Sequence, residues 1–196
     1  MDINATIASR VRALRDAQGW SLEALAERSK VSRSTISLIE RGASSPTAVV
    51  LERLATALGV ALASLFEPAP DDGAAEPSPL SRSREQALWT DPESGYVRRN
   101  LSPAVPSPIQ LVEVQFPPGQ RVAYDTGMRD SDLHQQLWML EGVMELRVGD
   151  APWRLEAGDC LAMRLDRPIV FHNPGRRTAR YLVALSKQRF HDPRGR

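Results

Sequence analysis

The chain has 196 residues, 42% hydrophobic and 25% charged, which suits one mid-sized domain or two small ones. Its 25 Lys and Arg nearly balance 24 Asp and Glu, a formal charge of +1, so any surface built for a polyanion has to be local. The single cysteine, Cys160, cannot close an intramolecular disulfide, and no C-x-x-C pair is present for zinc or redox chemistry, so a reducing, cytoplasmic setting is expected.

The first 66 residues carry helix-spaced apolar positions. Ile7, Val11 and Leu14 recur at i, i+4 and i+7 behind Asn4 as a cap, and Gly19 stands at a C-terminal stop. Ser21 caps a second short helix ending near Ser29. Ser32 caps a third that runs to Arg41, with Ile36 and Ile39 inward and Gly42 as terminator. Thr47, after Pro46, starts a fourth helix, and Leu62, Leu65 and Phe66 suit a fifth. An all-α domain of five helices is predicted for residues 1–66.

The most apolar stretch, Leu54–Phe66, is too short to span a bilayer, so no membrane association is expected. Residues 67–90 open with EPAPDDGAAEPSPLSRSRE, a run with four prolines and no aromatic side chain, and are predicted to be a flexible linker. Residues 91–196 change texture. Apolar runs at about 97–102, 109–116, 137–140, 143–148, 160–165, 168–173 and 179–185 alternate with turn signals such as Gly149-Asp150 and Gly158-Asp159. Seven or more short strands at that spacing predict an all-β sandwich or barrel.

Ser21–Gly42, SLEALAERSKVSRSTISLIERG, sets two short helices about a turn, the second with an aliphatic side and a hydroxyl-rich side. Arg33, Ser34, Thr35, Ser37, Leu38 and Arg41 occupy the polar side. Arg can bond guanine O6 and N7, Ser several base edges, and Leu can meet a thymine methyl. This segment, with the following SSPTAVVLERLATALGV, resembles the Xre/Cro/C1-type helix-turn-helix regulators. The resemblance implies a DNA-binding domain whose third helix enters the major groove. It puts Arg33, Ser34, Thr35, Ser37 and Leu38 at base-reading positions, and Arg10, Ser21, Lys30, Ser32 and Arg41 at phosphate or positioning roles. Glu40 is expected to tether the helix. Ala61 departs from the pattern, standing where Ser or Thr would cap the last helix, a loss of about 1 kcal/mol. Residues 1–66 hold eight Lys and Arg against six Asp and Glu, a net of +2. One such domain neutralises few phosphates, so a homodimer on a double-stranded DNA operator is expected.

In the β half, HQQLWMLEG (134–142), LEAGD (155–159) and PIVFHN (168–173) resemble a cupin, which implies a double-stranded β-helix barrel. Metal-binding cupins carry H-x-H, a Glu and a Gly in one motif and P-H-x-x-x-N in another. Counted from Gly142, the Glu position is Gln135 and the paired His positions fall among Met128, Arg129, Asp130 and Ser131. Counted from Asn173, the second-motif His is Ile169. No metal and no other cofactor is therefore expected, and no catalytic residue is assigned. His134 and His172 are one residue off register and would join a rebuilt metal site only if a bulge re-aimed them. His191 lies in a basic tail.

With that register, Gln135, Leu137, Met139, Ile169 and Phe171 point into the barrel, an apolar interior with one amide. It is either packed or a pocket for a small apolar or amphipathic effector. Arg121, Tyr124 and Arg164 stand near strand ends, where they could meet a carboxylate. Cys160 is expected in the core. The function expected is a dimeric, sequence-specific DNA-binding transcriptional regulator and not an enzyme. The alternatives are a cupin-type metalloenzyme with a DNA-binding appendage and an antitoxin.

Overall fold

The computed structural model describes residues 2–67, 78–125 and 133–187. Four α-helices form in the first part: α1 (Ile3–Ala17), α2 (Leu22–Ser29), α3 (Arg33–Glu40) and α4 (Ala48–Ala57). Asp2, not Asn4, caps α1: its carboxylate accepts from the Asn4 backbone N–H. Ser21, Ser32 and Thr47 cap α2, α3 and α4 through their hydroxyls, as their positions predict. The expected fifth helix is a 3-10 segment, Leu62–Phe66. It has five residues and opens at Ala61 with no side-chain cap, too little to propagate an α-helical ladder. Leu25, Ile36, Leu51, Leu54 and Leu65 make a core with no exposed surface.

Among the described residues ten strands follow: β1 (Leu88–Thr90), β2 (Val97–Asn100), β3 (Ile109–Phe116), β4 (Arg121–Tyr124), β5 (Leu133–Glu141), β6 (Val143–Val148), β7 (Ala151–Glu156), β8 (Cys160–Arg164), β9 (Ile169–His172) and β10 (Ala179–Lys187). All pairings are antiparallel. One sheet has the order β1-β2-β3-β10-β5-β8, the other β4-β9-β6-β7. From β3 to β10 the chain passes back and forth between the sheets, the jelly-roll arrangement of a cupin-like barrel.

The turn between β5 and β6 depends on Gly142. Its φ is +82°, and a Cβ there would lie 2.9 Å from the Ala179 Cα. Next to it, the β10–β5 register shifts between Arg180 and Tyr181. Asn173 is fully buried and closes the far end, donating to the Phe116 and Arg177 carbonyls at 2.9 Å and accepting from the Gly175 N–H.

The halves meet over an apolar seam. Phe66 packs edge-on against Trp89, Trp89 against Tyr96, and Tyr96 stacks on Phe116, with centroid separations of 5.5, 5.6 and 5.5 Å. Trp89 is 2% exposed and lies in β1, which begins within the span 67–90. Polar contacts flank the rings. The Asp91 carboxylate accepts from the Ala48 N–H at 2.9 Å, and Glu67 accepts from Gln110 and Arg10. Burial raises the pKa of the Glu67 carboxyl above its ordinary value, with Arg10 opposing the shift.

Candidate nucleic-acid interface and barrel cavity

α3 buries Ile36 and Ile39 and turns its opposite side to solvent. Arg33, Ser34, Leu38 and Arg41 are exposed, with Ser37 and Thr35 half-buried between them. Leu38 stands out at 40% exposure, an aliphatic group facing water on an otherwise polar face. At the helix start the Ser32 hydroxyl lies 2.9 Å from that of Ser34 and 2.7 Å from that of Thr35, and it also accepts from the Thr35 N–H. Arg41 donates to the Ser37 carbonyl. Lys30, exposed at the turn before α3, has a left-handed φ of 58°.

Two ion pairs govern this face. Arg15 in α1 meets Glu40 at the end of α3 through two parallel bonds, 2.7 and 2.8 Å, with side chains only 12% and 8% exposed. Glu40 is thus the tether its position implies, and hydrogen bonding to it raises the Arg15 pKa above its ordinary value. The second pair, Arg33 with Glu23 on α2, is exposed on both sides. The Glu23 carboxyl is held below its ordinary range, first by its own backbone N–H.

Arg10, expected on a phosphate, is a correction. Its guanidinium is 16% exposed and donates to the Ser64 carbonyl and Glu67, each at 3.1 Å, so it fastens α1 to the start of the connecting segment. The sequence holds no local sign of this, because Glu67 is 57 positions away.

In the barrel, strand alternation places the inward set as expected. Gln135, Leu137, Met139, Ile169 and Phe171 are all buried. The cavity they were to line is different. It is small, about 60 Å³, and of the five it reaches only Gln135, Ile169 and Phe171. Leu137 and Met139 are fully enclosed core. Its wall also carries Tyr96, Arg98, Tyr124 and Tyr181, and α4 contributes Glu52, so an apolar interior with one amide is not what the chain builds.

Glu52 is 5% exposed and accepts from the Thr56 hydroxyl at 3.3 Å. It could have been suspected. Ala48 and Ala55 lie four residues before and three after it on one helical stripe, and both are fully buried. Arg98 is 9% exposed, its guanidinium 5.4 Å from the centroid of Phe66. Tyr96 and Tyr124 share a hydroxyl contact of 2.9 Å, and burial raises the pKa of all three tyrosines.

The positions where a cupin would hold a metal do not fit one. Gln135 and Ile169 offer no imidazole and no carboxylate, and Met128–Ser131 lie outside the described residues, as does His191. His134 and His172 occupy the outward positions of β5 and β9. The register shift falls at Arg180 and Tyr181, opposite Met139, and not beside His134. The His172 Nδ1 is 3.1 Å from the Glu145 carboxylate on that outer surface. Among the described residues no three His, Cys, Asp or Glu side chains gather as metal ligands.

Cys160, expected in the core, is exposed. It pairs with Trp138, itself 48% exposed, on the outer face of the larger sheet. Arg121 and Arg164 are exposed away from the cavity, leaving Tyr124 as the one expected mouth residue that lines it.

Comparison with known proteins agrees with this geometry. The Helix-turn-helix family (HTH_3) matches residues 11–65, which span α2, the turn and α3. Residues 11–65 are a helix-turn-helix domain. Over 177 residues the chain is 25% identical to the HTH-type transcriptional regulator SutR of Escherichia coli K12, covering 89% of this chain and 91% of that protein. It is 41% identical over 83 residues to an uncharacterised HTH-type transcriptional regulator of Mycobacterium tuberculosis H37Rv, covering 42% and 56%. The crystal structure of an HTH_3 family transcriptional regulator from Vibrio cholerae superimposes with a TM-score of 0.73 at 20% identity. It covers 95% of this chain and 98% of that one, so the two-part fold is shared throughout. The helix-turn-helix resemblance read from the sequence is matched over residues 11–65, and the strand order of the second part is the jelly roll that the cupin resemblance implied. Among the described residues no helix is long and apolar enough to cross a membrane.

Proposed function

We propose that the chain is a sequence-specific DNA-binding transcriptional regulator acting as a homodimer. In this reading residues 1–66 read an operator, residues 67–90 connect, and residues 91–196 supply dimerisation and effector sensing. The observation that carries it is the face of α3. Arg33, Ser34, Thr35, Ser37 and Leu38 are presented outward from a helix fixed by the Arg15–Glu40 pair, with Ser21, Lys30, Ser32 and Arg41 around them for phosphate contact and positioning. Support also comes from the names of the relatives.

Two copies are required on energetic grounds, since a net of +2 per domain neutralises few phosphates. A two-fold dimer would read half-sites about one helical turn apart. The outer face of the larger sheet suits the interface: Trp138 and Ile109 are 48% and 51% exposed there, and Ala162 is exposed on the edge strand β8 beside β5.

The test is recovery of genomic fragments by the full chain, followed by footprinting. A protected, two-fold symmetric site supports the reading. Binding no tighter to any fragment than to random DNA rejects it. The oligomer is checked by sedimentation of Trp138→Glu, which should be monomeric at concentrations where the parent is dimeric. An unchanged dimer removes this face from the assignment.

A further inference from the structure

The barrel cavity holds a set of polar groups that the fold does not use. Arg98 is nine-tenths buried, yet no carboxylate of the described residues lies within ion-pair distance of its guanidinium. Its recorded neighbour is the π face of Phe66. Arginine cannot shed its charge to relieve burial, and a cation held this far from water gains from a nearby anion. Tyr181 is 4% exposed and Gln135 8%. Both line the cavity. A cation and two polar side chains thus border one small cavity.

We propose that this cavity binds a small organic monocarboxylate carrying a second, hydrogen-bond-donating group. The carboxylate pairs with Arg98, with the Tyr181 hydroxyl and the Gln135 amide as further donors. The second group is set by Glu52, the other charged residue of the wall. The Glu52 carboxyl offers oxygen acceptors, which a hydroxyl or an amine of the ligand can serve as donor and a second carboxylate cannot. Size limits the class further: 60 Å³ gives room for roughly four to six water-sized centres, enough for a short 2-hydroxy or 2-amino acid.

The site also explains how occupancy would reach DNA, and in this respect it rests on the proposed regulatory function. Glu52 belongs to α4 and Leu62 to the 3-10 segment, both in the helix-turn-helix half, whereas Arg98, Gln135 and Tyr181 belong to the barrel. A molecule in this cavity touches both halves. It favours whichever arrangement of the two fits it, and α2 packs on α4.

Thermal unfolding of the full chain is followed with L-lactate, glycolate, glycine and L-alanine as probes, and with succinate and ethylamine as counter-probes. At least one 2-hydroxy or 2-amino acid should raise the melting temperature progressively with concentration, while succinate and ethylamine do not. Arg98→Met should abolish that rise, and Tyr181→Phe should weaken binding at least threefold by calorimetry. If Arg98→Met does not fold, Tyr181→Phe decides. No rise with any of the four acids, a rise equal in parent and Arg98→Met, or unchanged binding in Tyr181→Phe overturns the site. The melting experiment contains no DNA. A chain that responds to the acids but binds no operator would therefore reject the regulatory reading and leave the site standing, and the converse result would reject the site alone.

Discussion

Asp91, in the β half, caps α4 of the helical half: its carboxylate accepts the Ala48 backbone N–H at 2.9 Å across 43 positions of chain. The other carboxylate oxygen accepts from the Ser94 N–H and hydroxyl, so one buried side chain satisfies groups on both sides of the seam. Asp91→Ala leaves these donors buried without an acceptor. It is expected to lower stability by about 1–3 kcal/mol in chemical denaturation. A loss within error would show that the cap contributes nothing.

The Arg15–Glu40 pair fixes α3 against α1. Glu40→Ala takes two charge-assisted bonds from Arg15, which keeps the Asp16 carboxylate and the Trp20 carbonyl as partners, and should destabilise the chain by about 1.5–3 kcal/mol. Replacing both residues together should cost less than the sum of the single changes. Additivity in this double-mutant cycle would mean that the two side chains do not act as a unit.

Base reading by Arg33 requires its guanidinium to leave Glu23. Arg33→Ala is expected to lose about 1–3 kcal/mol on the cognate site and little on random DNA. Glu23→Gln should act in the opposite direction, strengthening operator binding and steepening its dependence on salt, because an acidic group beside the groove is gone. Weaker operator binding by Glu23→Gln would assign Glu23 a positioning role instead.

All three tyrosines of the chain, Tyr96, Tyr124 and Tyr181, have raised pKa values, first of all because burial disfavours the phenolate. Between the unfolded value, near 10, and the higher folded values, the native state holds protons that the unfolded state has released, so stability falls as pH rises. Ultraviolet titration should show phenolate appearing only above the range of free tyrosine and together with the loss of helical circular dichroism. A phenolate signal with the fold intact would contradict the burial.

The helical half was legible because a 3.6-residue period and hydroxyl caps act locally: Ser21, Ser32 and Thr47 cap the helices they precede. The fifth helix was not, since Leu62–Phe66 has the apolar content of a helix and lacks its length and cap. In the barrel, alternation correctly sorted Gln135, Ile169 and Phe171 inward and His134 and His172 outward. It could not show which inward residues border empty space, because that depends on α4 and the 3-10 segment covering the mouth. Arg98 was hidden for the same reason: in the run 97–102 it reads as one of two adjacent arginines, and only pairing with Val114 in β3 turns it toward the seam.

The row of rings from Phe66 through Trp89 and Tyr96 to Phe116 bears on how such proteins can be recombined. A helix-turn-helix domain grafted from another chain would arrive with its own residue in place of Phe66, and with no Ala48 N–H aimed at Asp91. The recipient barrel would then expose Trp89 and leave Arg98 without the ring beneath it. On the proposed reading, a change of operator specificity is therefore easier along the face of α3, where Arg33, Ser34, Ser37 and Leu38 change without touching the seam, than by wholesale transfer of the first 66 residues.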